Sequence, residues 1–143
     1  MRLTDEQIEN YRIVAFDLGL DGRELLCEGN DLIRTVCNGI GSDAMGSTLR
    51  GMLDALHPAF ILPSVIHDLR YWFWDGTETS FKSANAEFAS NGCKVAKARY
   101  SWYDPRRYLA YHNAAKYKAI LDLCGHSAAA SARASRIKQE ERK

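Results

Sequence analysis

The chain has 143 residues, 46% of them hydrophobic and 26% charged, a globular composition long enough to bury one core without covalent staples. Nineteen basic residues against eighteen acidic ones leave a formal net charge of +1, which excludes a global field drawing the protein to nucleic acid or anionic lipid, so that any such contact must be local. No apolar run approaches the roughly 18 to 20 residues that cross a bilayer, and the start MRLTDEQIENYR is too charged for a secretory signal, so a cytoplasmic protein without a transmembrane segment is expected. The four cysteines, Cys27, Cys37, Cys93 and Cys124, are widely spaced, with no CxxC pair to hold zinc; they read as free thiols serving as small apolar groups. A Cys27–Cys37 bridge would require work outside the cell.

In chain order, Thr4 and Gln7 form a capping-box pattern that starts a short helix with Ile8 and Tyr11 inward. From Tyr11 to Phe16 the pattern turns β-branched and aromatic, and Asp21-Gly22 offers a turn before Leu25 and Leu26, which together predict a small N-terminal β-hairpin. Asp31 to Val36 either extends it or starts a helix. Cys37-Asn-Gly-Ile-Gly-Ser-Asp43 cannot hold a regular element and predicts a tight loop. Met45, Leu49, Met52, Leu53 and Leu56 recur at helical spacing up to His57-Pro58.

Pro63 and Ser64 open a helix to about Trp74 that is apolar on most sides and so belongs at the domain centre. Asp75-Gly76-Thr77 breaks it. Thr77 or Thr79 caps the next helix, with Phe81, Ala84 and Phe88 on one face and a stop at Asn91-Gly92; the short connection predicts an antiparallel pair. Asp104-Pro105 starts a last long helix to Gly125, with Leu109, His112, Ala115, Ala119, Ile120 and Leu123 inward. Residues 126–143 read as a frayed or disordered tail in which Arg133, Arg136, Lys138, Arg142 and Lys143 are diluted by Glu140 and Glu141, leaving one domain over 1–125. The aromatic runs Tyr71 to Trp74 and Tyr100, Trp102, Tyr103, Tyr108, Tyr111, the latter beside Arg106 and Arg107, read as core filling in preference to a membrane-interface or base-stacking surface.

One segment carries chemistry. In Pro63-Ser-Val-Ile-His-Asp-Leu-Arg-Tyr-Trp72, His67 and Tyr71 lie one helical turn apart while Asp68 is rotated about 100° from His67, so imidazole and carboxylate can face one cavity without pairing. A neutral imidazole can take a proton from water, and a neighbouring carboxylate can hold a cation.

The run His67-Asp68-Leu69-Arg70-Tyr71 resembles the HDxxY motif of phospholipase A2, especially compact cysteine-poor viral and phage-encoded forms, which combine a glycine-rich calcium loop, an HDxxY helix and an antiparallel helix of the form ADEEL. Here Asn38-Gly-Ile-Gly-Ser42 lies upstream and Ser83-Ala-Asn-Ala-Glu-Phe88 downstream, so the resemblance spans about residues 37 to 92. It implies a mainly α fold built on that helix pair, with calcium bound by Asp68 and by loop carbonyls at Asn38, Gly39 and Gly41, and His67 taking a proton from the attacking water. Tyr71 would hydrogen-bond behind the site. It further implies a phospholipid or other acyl ester as substrate and a phage or prophage origin, with a virion as an alternative workplace.

The family orients its histidine with an aspartate on the facing helix, where this chain has Asn85; Glu87 lies on a different face. The long glycine run and disulfides of secreted enzymes are also missing. Either rate is sacrificed, or the scaffold serves binding to a protein partner without catalysis. A different class, the HD-type metal phosphohydrolase, would recruit His57 with Asp104 or Asp122; His112 and His126 read as surface or partly buried residues.

Overall fold

The computed structural model describes residues 3–37, 51–53 and 55–143. The elements are helix α1 (Asp5–Leu18), a 3-10 turn (Arg23–Cys27), α2 (Asn30–Cys37), a second 3-10 turn (Pro58–Phe60), α3 (Ile61–Trp72), α4 (Glu78–Arg99), α5 (Pro105–Cys124) and α6 (His126–Glu141). No strand occurs among the described residues, and no helix among them is long and apolar enough to cross a membrane. The fold is mainly α.

The predicted hairpin is therefore replaced by helix. The capping box forms as expected, Gln7 N–H donating to Thr4 Oγ1 and Thr4 N–H to Gln7 Oε1, but the helix it starts continues to Leu18. Ile8 and Ala15 face the core, whereas Ile13, Val14 and Phe16 are 51, 41 and 50% exposed. The β-branched run thus decorates the outer face and does not alternate into a core. Gly19, at φ 62°, closes the helix by donating its N–H to the Ala15 and Phe16 carbonyls, a conformation that glycine adopts without strain. The Arg12 side chain ties α1 to the 3-10 turn and to α2, donating to Leu26 O and Asn30 Oδ1.

α3 is buried along most of its length, and α4 lies antiparallel to it: Tyr71 stacks on Phe81, His67 meets Asn85, and Phe60 before α3 packs on Phe88. Thr77 is the cap of α4, accepting from Ser80 N–H, and Phe81, Ala84, Asn85, Phe88, Asn91, Gly92, Val95 and Ala96 form its buried stripe. Asn91-Gly92, predicted as a stop, lies in the middle of α4. Fully buried Asn91 clamps the connection between α1 and the first 3-10 turn by accepting from Asp21 N–H and donating to Asp21 O, while Gly92 leaves room for Phe60, whose ring would lie 1.9 Å from an added Cβ. Both residues answer to tertiary contacts that local propensity does not encode.

On α5 the inward residues are Ala110, Ala114, Tyr117 and Leu121; the predicted set is corrected, with Leu109 and Leu123 52 and 82% exposed and His112, Ala115 and Ala119 also on the outside. Small alanines allow close approach to α4, and Tyr117 packs on Phe60 and accepts from His57 N–H. The segment expected to fray forms α6. Ala129 and Ala132 are buried in a cluster with Tyr71, Phe81 and Ala84, and Arg136 donates to the Trp72 and Trp74 carbonyls at the exposed end of α3. The alanines, too small to signal a core by hydropathy, are what lets the helix lie against those aromatics.

Candidate functional site

His67 and Tyr71, one turn apart on α3, converge on Asn85 of α4. Nε2 of His67 lies 2.8 Å from Asn85 Oδ1, and the Tyr71 hydroxyl donates to the same oxygen at 2.7 Å. Asn85 is fully buried, and its Nδ2 donates to Asp122 Oδ1 of α5 at 2.8 Å; Asp122 Oδ2 in turn accepts from Lys118 Nζ at 2.8 Å. A carboxylate only accepts, so the Asn85 amide must turn its nitrogen to Asp122 and its oxygen to Tyr71 and His67. Neutral His67 therefore carries its proton on Nε2 and leaves the lone pair on Nδ1.

The imidazole is 7% exposed and lies against Tyr71, with centroids 4.1 Å apart, and Phe88, at 5.2 Å. Burial lowers its pKa to about 4, only partly opposed by the bond to Asn85. It is neutral at pH 7. Burial pushes the Tyr71 hydroxyl well above its usual value, helped by the charges of Asp68 and Asp122, so it stays a donor. Burial also tends to raise Asp122, but hydrogen bonds from Lys118 and Asn85 and the charges of Lys118 and Lys82 bring it below the ordinary carboxylate range.

Asp68, next to His67 on α3, makes no hydrogen bond to this network among the described residues; its charge acts on Tyr71 and on Cys37 at the end of α2, whose thiol is pushed up by burial first and by that charge second. Burial lifts the Asp68 carboxyl to about 7, and among the described residues no cation or hydrogen-bond donor offsets it. Asn38, Gly39 and Gly41, the remaining predicted calcium ligands, lie outside the described residues, as does most of the predicted Met45–Leu56 helix. Among the described residues no three His, Cys, Asp or Glu side chains cluster as a metal site.

Of the predicted site residues, the structure brings together His67, Tyr71 and Asn85. Asp122, expected only as a phosphohydrolase ligand, joins them through Asn85. Its signal is Lys118-x-x-x-Asp122, a helical ion pair beside the inward Leu121. Glu87 pairs with Arg70 through two hydrogen bonds of 3.1 Å and does not reach His67. His57 is engaged elsewhere, its Nδ1 accepting from Ala59 N–H and its ring edge-on to Phe60 and Tyr100, while Asp104 caps α5 and binds Arg106. The four cysteines are free. No family model matches the chain, no curated protein matches it, and no solved structure matches it.

Proposed function

We propose that the protein is a phospholipase A2-like acyl ester hydrolase of reduced rate, with His67 as general base. The observation that carries this reading is the single Asn85 oxygen that receives both His67 Nε2 and the Tyr71 hydroxyl, because it fixes the tautomer that leaves Nδ1 free to take a proton. Asn85 orients the ring, and Asp122 behind it polarises the amide, placing negative charge at one remove from the imidazolium that forms. Tyr71 holds the oxygen from its other side.

The resemblance implies calcium, and the Asp68 carboxyl, which no cation or hydrogen-bond donor among the described residues offsets, suits an oxygen-seeking cation. Asp68 with carbonyls of Asn38, Gly39 and Gly41 would hold it, and when bound it would supply electrostatic stabilisation of the oxyanion.

A second reading is a noncatalytic binding protein on the same scaffold, of phage or prophage origin by resemblance alone. It is favoured by the same His67: a base with pKa about 4, whose partner is a neutral amide, has little driving force to remove a proton from water. Fatty-acid release from phospholipid vesicles, abolished in His67→Ala, supports the hydrolase; no release above that variant refutes it and leaves the binding reading. Calorimetry with calcium should show heat that disappears in Asp68→Ala, and its absence in the unaltered protein removes the metal from the proposal.

A further inference from the structure

The connection between α4 and α5 gathers exposed aromatics and cations. Trp102 and Tyr103 are 73 and 72% exposed, the largest such aromatics among the described residues, and Tyr108 and Leu109 on the first turns of α5 are 52% exposed. Around them stand Lys97, Arg99, Arg106 and Arg107, with Asp104 as the one carboxylate over 97–109, already committed to Arg106. Lys97 and Arg99 offset the C-terminal dipole of α4, but Arg107 lies at the N-terminal end of α5, where the dipole disfavours a cation; it has no carboxylate partner among the described residues and rests on Tyr111, donating its Nε–H to the hydroxyl at 2.8 Å with the guanidinium 5.9 Å from the ring centroid. That contact is to a neutral group and leaves the charge uncompensated, and helix packing gives no account of two large rings left in water.

We propose that this apex docks the protein on an anionic bilayer surface, Trp102, Tyr103 and Leu109 entering the headgroup region while Arg99, Arg106 and Arg107 meet lipid phosphates. The chemistry matches: Trp and Tyr have an apolar body and a polar tip suited to the membrane–water boundary, and cations near an anionic leaflet add attraction. Single-stranded nucleic acid is the other polyanion such a surface could face. Trp102 and Tyr103, however, meet edge to face at 87°, which offers no ladder of parallel faces for successive bases, and Tyr108 spends its hydroxyl proton on the Trp102 carbonyl. The apex lies about 22 Å along α4 from Asn85, so docking there does not depend on the hydrolase reading.

The test uses the full chain and sedimentable diether vesicles, which have no ester to cleave, of phosphatidylcholine alone or in equal parts with phosphatidylglycerol. Binding is expected to the mixed vesicles, to weaken with salt, and to fall about tenfold in Trp102→Ala/Tyr103→Ala and in Arg99→Gln/Arg107→Gln. Trp102, Tyr103 and Arg99 are exposed and Arg107 is half-buried on Tyr111, and unchanged far-ultraviolet dichroism and melting confirm that each variant folds. The proposal is overturned by no preference for the mixed vesicles, by unchanged binding in both double variants, or by binding to a single-stranded oligonucleotide with none to vesicles. Loss of fatty-acid release with vesicle binding intact would count against the hydrolase alone.

Discussion

The buried polar chain from His67 to Lys118 makes Asn85→Asp a sharp perturbation, because the new carboxylate would face Asp122 across the present 2.8 Å contact. Two unit charges 4 Å apart repel by about 4 kcal/mol at an effective dielectric constant of 20, so Asn85→Asp alone should destabilise the fold by about 3 kcal/mol at pH 8. The loss should shrink as pH falls and the pair takes up a shared proton. Asp122→Asn alone keeps an acceptor for Asn85 and forgoes the Lys118 ion pair, a cost of about 1 kcal/mol or less. Combining the two removes the repulsion and sets a full negative charge against His67 Nε2. Its pKa should then rise from about 4 by roughly 1 to 3 units, the usual effect of an adjacent opposite charge. Urea unfolding measures the first effect and nuclear magnetic resonance titration of the histidine ring protons the second. An Asn85→Asp protein as stable as the parent at pH 8, or a double variant whose His67 titration does not move, would refute the network. If the hydrolase proposal holds, the double variant should also release fatty acid faster than the parent.

Packing and charge make three further outcomes testable. Asp68 holds its proton in the folded state between its ordinary 3.8 and about 7, so its contribution is full below 3.8 and lost as pH rises through 7, whereas His67, depressed from 6.5 to about 4, contributes fully above 6.5 and loses that as pH falls to 4. Urea midpoints should therefore show the two opposing each other in the parent between pH 4 and 6.5, while Asp68→Asn shows only the His67 climb and gains up to about 4 kcal/mol over the parent at pH 8 without calcium; equal profiles would count against a desolvated carboxyl. Gly92→Ala drives a methyl into the Phe60 ring and should cost about 1 to 3 kcal/mol, with Phe60→Leu less harmful in that background than alone; additive losses in a double-mutant cycle would contradict the close approach. Deleting 126–143 uncovers Tyr71 and Phe81 and should cost about 3 kcal/mol or more by thermal unfolding, whereas a frayed tail would leave the melting temperature unchanged.

What could be read from the sequence was whatever local pattern decides. The Thr4 capping box, the Thr77 and Asp104 caps and the inward stripe of Phe81, Ala84 and Phe88 are written in residues three or four apart, and each appears as expected. The antiparallel pairing of α3 and α4 was legible from their short connection, whereas Asn85 as the residue facing His67 was implied only by the resemblance. Elsewhere the chain misleads where distant partners decide: Ile13 to Phe16 look like a strand but lie on the outside of α1, and Asn91-Gly92 look like a stop but receive Asp21 and Phe60. Alanine is nearly silent in hydropathy, which is why both the inner face of α5 and the docking of α6 were missed.

The identity of residue 85 is best understood through Asp122. Three polar groups meet there: two donors, the Tyr71 hydroxyl and His67 Nε2–H, approach from one side, and an acceptor, Asp122, from the other. Aspartate would satisfy the donors and collide electrostatically with Asp122; leucine would leave the Tyr71 and His67 donors without this acceptor in the interior, at about 1 to 3 kcal/mol each, while Asp122 would keep Lys118. An amide alone among side chains of this length presents an oxygen to one side and an N–H to the other. Asparagine at this position is therefore one half of a coupled pair, asparagine in the core on α4 with aspartate on α5. An exchange that alters only the first half tests a structure the chain does not have, and the two positions must be changed together before His67 can be judged as a base.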